Sequence, residues 1–157
     1  MQRGDLVPDF ELPDQDGKPT ALGDLVADGP LVLFFYPMAM TAGCTKESCH
    51  FRDLAEDFKH VGARRVGIST DPVEKQRKFA DLHDFGYQLL SDVDGTVARI
   101  FGVQRRIGLL PVKRTTFVIG TDRRVIDVIS SELHMDKHAD EALAVLRRRN
   151  APGSQNT

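Results

Sequence analysis

Cysteine is scarce in this chain, with only Cys44 and Cys49 among 157 residues. Two thiols exclude a disulfide scaffold, and the length makes one unnecessary, since a chain of this size buries roughly two-thirds of its unfolded surface in a single core. Charge of one sign is also missing. Lys and Arg number 21 against 23 Asp and Glu, a formal net charge of -2, so nothing global attracts nucleic acid or anionic lipid. Long apolar runs are absent too. The run Leu31 to Tyr36 is far short of the ~20 residues a spanning helix needs, and the opening Met1-Gln-Arg-Gly-Asp5 has no apolar signal core. The chain therefore reads as cytoplasmic, without membrane or nucleic-acid partners. With 41% hydrophobic and 28% charged residues, the composition is that of an ordinary globular domain.

The spacing of the two cysteines narrows their chemistry. In a reducing compartment a close pair is reactive or metal-binding rather than a brace. A thioredoxin-type disulfide exchanger uses Cys-x-x-Cys, and Cys44-x4-Cys49 is not that. Cys44-x4-Cys49-His50 also matches structural zinc spacing poorly, so no metal and no cofactor are expected.

Alternating strand and helix signals run along the chain. A β-hairpin is expected over Phe10 to Leu22 around Asp14-Gln-Asp-Gly17, where Asp-Gly is a turn signal. Pro30 to Tyr36, ending before Pro37, suits a central strand buried on both faces. Phe51, Leu54, Ala55, Phe58 and Val61 recur at helical spacing and predict one helix from Thr45 to Val61, stopped by Gly62. Further elements follow: a strand over 65–69, a helix over 72–85, a strand over 87–90 and a helix over 95–101. After an Arg- and Gly-rich loop through Pro111 come strands over 115–119 and 125–129 around Thr121-Asp-Arg-Arg124, then a helix from Lys137 to about Arg149. This order describes an α/β protein with a mixed central sheet flanked by helices. Residues 1–150 are expected to form a single domain, and 151–157 a disordered tail. In such folds the loops at the carboxyl ends of central strands carry sites, which directs attention to the loop after Tyr36.

That loop ends in a thiol at a helix start. Unpaired N–H groups and the positive end of the helix dipole favour the thiolate there, so Cys44 is placed to be nucleophilic. The pattern Pro37-x3-Thr41-x2-Cys44, with Cys49 five positions on and Arg114-x-Thr116-Phe117 downstream, resembles the peroxiredoxins, and within them the bacterioferritin-comigratory or Q-type subfamily. Val7-Pro8-Asp9-Phe10 and Leu90-Ser-Asp92-x-Asp94-Gly95 extend the likeness over most of the chain. One position departs from it: Ala42 stands where Pro usually precedes the Gly-Cys pair.

The resemblance implies a thioredoxin-like fold and a thiol-specific peroxidase reducing hydrogen peroxide and organic hydroperoxides. Cys44 is then the peroxidatic thiol, surrounded by Pro37, Thr41 and Arg114, with Gly43 in support and Glu47 orienting the arginine. Cys49 resolves the Cys44 sulfenic acid as an intramolecular disulfide, and thioredoxin or a similar thiol reductant recycles it. A monomer is the state implied, with a weak dimer as the alternative. A non-catalytic redox switch using the same disulfide remains a second reading. Each residue also has a structural explanation: Thr41 as a helix cap, Pro37 as a strand end, Glu47 as a favourable charge in a first turn, Arg114 as a strand-end side chain.

Acidity alone does not make a fast peroxidase. Lowering a thiol's pKa from about 8.5 to about 6 raises its thiolate fraction at pH 7 from ~3% to ~90%. Nucleophilicity falls with basicity at a slope near 0.5, a loss of roughly 18-fold, so the net gain is about twofold. The larger share must come from aligning the peroxide and stabilising charge on the departing oxygen, for which Arg114, Thr41 and the loop amides are the available donors. A disulfide between Cys44 and Cys49 also needs movement. Residues five apart on a regular helix have Cα atoms roughly 8.7 Å apart, whereas disulfides rarely exceed about 7 Å. The helix must unwind locally after oxidation.

Overall fold

The structure, a computed structural model, describes residues 1–105 and 111–150. The N-terminal hairpin pairs β1 (Glu11–Pro13) with β2 (Pro19–Ala21) antiparallel. Its connection is longer than an Asp-Gly turn. The Asp14 carboxylate accepts the amides of Asp16 and Lys18 at 2.9 and 3.0 Å, and Gly17 takes the left-handed conformation at φ 78°. A short helix α1 (Leu22–Leu25) follows, and sequence periodicity gave no sign of it.

The central sheet contains β3 (Leu31–Phe35), β4 (Arg64–Ser69), β5 (Gln88–Ser91), β6 (Thr115–Ile119) and β7 (Val125–Ser130), in the order β5-β4-β3-β6-β7. The first three are mutually parallel, β6 runs antiparallel to β3, and β7 runs antiparallel to β6, as expected for a mixed sheet. Every residue of β3 is buried. Strand alternation sends Leu31, Leu33 and Phe35 to one face, where they pack with α1 and α5 (Thr96–Phe101). Val32, Phe34 and Tyr36 enter the other core, covered by α2 (Ala42–Asp53), α3 (Ala55–His60), α4 (Val73–His83) and α6 (Met135–Asn150).

The single helix expected over 45–61 is two. Helix α2 begins earlier, at Ala42, and breaks at Leu54, whose φ of -97° and ψ of 22° are not helical. Packing explains the break. Phe51 and Phe58 are fully buried with ring centroids 5.7 Å apart, yet seven residues of straight helix separate their Cα atoms by about 10.5 Å along the axis. Bending at Leu54 brings the rings together and turns Ala55, expected inward, out to solvent. Gly62 stops the segment as anticipated, with φ 70°.

Among the described residues no helix is long and apolar enough to cross a membrane. The expected disordered tail, 151–157, lies outside the described residues, as does the 106–110 part of the Arg- and Gly-rich loop.

Candidate active site

The site forms where the carboxyl end of β3 meets the start of α2. After β3 the backbone of Tyr36 bonds to the Ile68 carbonyl, and Pro37 is buried. The loop is then pinned at Ala39, whose amide donates to Asp71 Oδ2 at 2.7 Å, while Met40 adopts φ 71°. Thr41 is extended and precedes α2, but its side chain does not cap the helix. Instead its hydroxyl donates to the Met38 carbonyl at 2.8 Å, leaving the oxygen's lone pairs free to accept. The first helical bond runs from the Thr45 amide to the Thr41 carbonyl, so the amides of Gly43 and Cys44 precede the α2 ladder.

Arg114 arrives from the neighbouring strand. Antiparallel pairing of Phe35 with Thr115 sets it beside the end of β3. Its guanidinium is buried and forks: Nη2 donates to Cys44 Sγ at 3.3 Å, and Nη1 donates to Glu47 Oε1 at 2.7 Å. Burial opposes this charge, but Glu47 and Cys44 more than offset the cost and hold the guanidinium's pKa above its usual value. Glu132 fixes the base of the side chain by accepting the Arg114 amide at 3.2 Å. Gly43 has a specific reason to lack a side chain, since a Cβ there would stand 3.3 Å from Arg114 Nη2. The structure thus brings Cys44, Arg114, Glu47 and Gly43 into one cluster, with Thr41 and Pro37 on the loop that leads into it.

A second layer lies behind Glu47 and was not legible in the sequence. His138, on α6, is fully buried with Nδ1 3.6 Å from Glu47 Oε2. The Ser131 carbonyl can only accept, so His138 Nε2, 2.8 Å away, carries the proton, and Nδ1 accepts from the Thr116 hydroxyl at 2.8 Å. Burial lowers the His138 pKa and keeps the ring neutral. Burial likewise raises the Glu47 carboxyl to about 8, against the opposing pull of Arg114. His134 and His138 stand four apart, but His134 precedes α6 and both nitrogens of His138 are engaged by the protein. Among the described residues no group of three or more His, Cys, Asp or Glu is placed to hold a metal ion.

Cys49 lies five residues farther along α2, part-buried and apart from the Arg114 fork. Both cysteines are free thiols. Cys49 Sγ contacts His83 Nδ1 at 3.8 Å. The sequence gave no sign of that neighbour, 34 positions away.

A buried thiol clamped by a guanidinium at the end of the central strand of a mixed sheet defines a thiol-chemistry protein of thioredoxin-like architecture. Comparison with known proteins agrees. The model of the AhpC/TSA family matches residues 3–128. The crystal structure of peroxidoxin BcpB from Mycobacterium tuberculosis is 65% identical and superposes with a TM-score of 0.92, covering 96% of this chain and 99% of that one. Peroxiredoxin Q of Arabidopsis thaliana chloroplasts is 39% identical over 148 residues, 94% of this chain and 68% of that protein. A bacterioferritin comigratory protein of Xanthomonas campestris, studied for its alkyl peroxide reduction, is 29% identical, with a TM-score of 0.82 over 89% of this chain and 91% of that one. The chain belongs to the AhpC/TSA family of peroxiredoxins, in its Q-type, bacterioferritin-comigratory group. It is accordingly a peroxidase, an oxidoreductase that works through thiol chemistry.

Proposed function

We propose that Cys44 is the peroxidatic thiol and Cys49 the resolving one. In the first step the Cys44 thiolate attacks the terminal oxygen of a hydroperoxide. The O–O bond breaks, sulfur gains the hydroxyl as a sulfenic acid, and the departing alkoxide or hydroxide takes a proton to leave as alcohol or water. In the second step the Cys49 thiol attacks the oxidised sulfur, forming the disulfide and releasing water. A thioredoxin-like dithiol then reduces the disulfide to two thiols and is itself oxidised.

The Arg114 fork carries this reading. A guanidinium touching the attacking sulfur is fixed in place by Glu47, so it can stabilise charge moving from sulfur to the leaving oxygen without reorganising. The Thr41 oxygen, having spent its proton on Met38, is available to accept from the peroxide O–H and aim the O–O bond at sulfur. Pro37 fixes the turn from which this loop starts, and Gly43 leaves room for the guanidinium. The catalytic unit is assigned to residues 1–150 acting as a monomer in the cytoplasm, where a thiol reductant is at hand.

Stopped-flow peroxide consumption with thioredoxin and its reductase tests the assignment. Wild type should turn over continuously, Cys44→Ser should not react, and Cys49→Ser should consume one equivalent and stop. Sustained turnover by Cys49→Ser would remove that residue from the cycle.

A further inference from the structure

Resolution requires the second thiol to lose a proton, and nothing in the Arg114 fork can take it. An ordinary cysteine titrates near ~8.5, so at pH 7 only ~3% of such a thiol is ionised. Cys49 is nevertheless not alone. His83, the last residue of α4, sets Nδ1 3.8 Å from its sulfur. The ring is held from two sides, edge-on to Phe79 at 5.5 Å and stacked on Phe85 at 5.4 Å.

From this geometry we propose that His83 is the general base of the resolving step, accepting the Cys49 proton through Nδ1. The proposal rests on the two-cysteine reading above and assigns a residue to its second half. As the Cys49 sulfur bonds to the Cys44 sulfur, its proton passes to His83. The sulfenic hydroxyl departs from Cys44 and leaves as water by taking up a proton, and the imidazolium then releases its own to solvent. Two thiol-derived sulfurs become one disulfide with no reagent beyond the peroxide already consumed.

The anchoring of α2 makes this compatible with unwinding. Three bonds tie residues 48–52 to the sheet and to α4. Tyr87 Oη donates to the Ser48 carbonyl at 2.7 Å, Arg65 Nη1 to the Phe51 carbonyl at 2.6 Å, and Arg52 Nη1 to the His83 carbonyl at 2.8 Å. The turn bearing Cys44 and Glu47 depends instead on Arg114. That turn can therefore open and bring Cys44 across while Cys49 stays against His83. The other titratable groups near the pair are Arg52, which is bonded to Asp53 and acts electrostatically on Cys49, the exposed Asp84 that follows His83, and buried Tyr87.

The test is a single-turnover reaction of full-length reduced protein with one equivalent of hydrogen peroxide, followed by rapid acid quench and mass spectrometry between pH 6 and 9. His83→Asn keeps a polar atom near the Nδ1 position but has no basicity. It should slow disulfide formation at pH 7 by about 10²-fold or more and make that phase rise with pH toward the range of an ordinary thiol. Sulfenic-acid formation should be as fast as in wild type. Imidazole added to His83→Ala should recover part of the lost rate, which a packing role would not permit. An unchanged second phase in His83→Asn overturns the proposal. So does a slower phase with the wild-type pH profile and no rescue, which would mark His83 as packing only. If wild type itself forms no 44–49 disulfide, the two-cysteine reading fails and this step fails with it, an outcome visible before any variant is made.

Discussion

Glu47 Oε2 lies 3.6 Å from His138 Nδ1, and both side chains are fully buried. Because Nδ1 already accepts from Thr116, His138 offers this oxygen no proton, and Oε2 is left without a hydrogen-bond partner. The same carboxylate uses its other oxygen to hold Arg114. Burial is what raises the Glu47 carboxyl to about 8, and the charge and hydrogen bond of Arg114 at the other oxygen only partly offset it.

This arrangement sets a pH dependence of stability with a definite sign. The unfolded carboxyl titrates near 4.5 and the folded one near 8, so between these values the native state holds a proton that the unfolded state has lost. The stability from this group is complete below about 4.5 and is lost as pH rises through about 8. Glu47→Gln should remove that slope, with the variant's melting temperature gaining on wild type from pH 5 to pH 9. Calorimetry across that range showing a constant difference would contradict the account.

Arg114 should tolerate no cationic substitute. A lysine ammonium is a point charge without the planar fork, so Arg114→Lys cannot serve Cys44 and Glu47 together. The second-order rate of Cys44 oxidation should fall by about 10²- to 10³-fold, as for removal of a transition-state donor, while the protein remains folded. Stopped-flow fluorescence or competition kinetics would measure it, and a loss below about tenfold would place the main stabilisation elsewhere.

Thr41 and Gly43 make a paired prediction. Thr41→Ser keeps the hydroxyl that donates to Met38 and should retain most of the oxidation rate, whereas Thr41→Val should lose at least about tenfold. Gly43→Ala places a methyl 3.3 Å from Arg114 Nη2 and should shift the guanidinium, lowering the oxidation rate with little change in melting temperature. Equal rates in Thr41→Ser and Thr41→Val would remove the hydroxyl from the mechanism.

Much of the fold was readable because local signals agreed with one another. The Leu31 to Tyr36 run marked the central strand, and its ending at Pro37 marked the site. Cys44, Thr41 and Arg114 were named on the resemblance their motifs carry, and the fold sets Arg114 Nη2 3.3 Å from Cys44 Sγ. The bend at Leu54 was not readable, since it comes from two phenylalanine rings meeting in the core and not from the helical spacing around it. His138, Asp71 and His83 escaped for a related reason. Each acts across the fold on a residue more than 30 positions away, and no short pattern links a histidine on α4 or α6 to a thiol or carboxylate on α2. The earlier alternative that Thr41 caps the helix was open on sequence grounds, and the hydroxyl's bond to Met38 decides against it.

The central claim is that Cys44 and Cys49 join within one chain by opening the first turns of α2 while the segment around Cys49 holds. Hydrogen-exchange mass spectrometry on reduced protein and on protein oxidised with one equivalent of hydrogen peroxide tests this directly. The account predicts a monomeric 44–49 disulfide in the oxidised sample, with amides 45–51, whose acceptors are the carbonyls of 41–47, losing protection and those of 52 and 53 keeping it. An intersubunit disulfide, or an oxidised α2 as protected throughout as the reduced one, would contradict it.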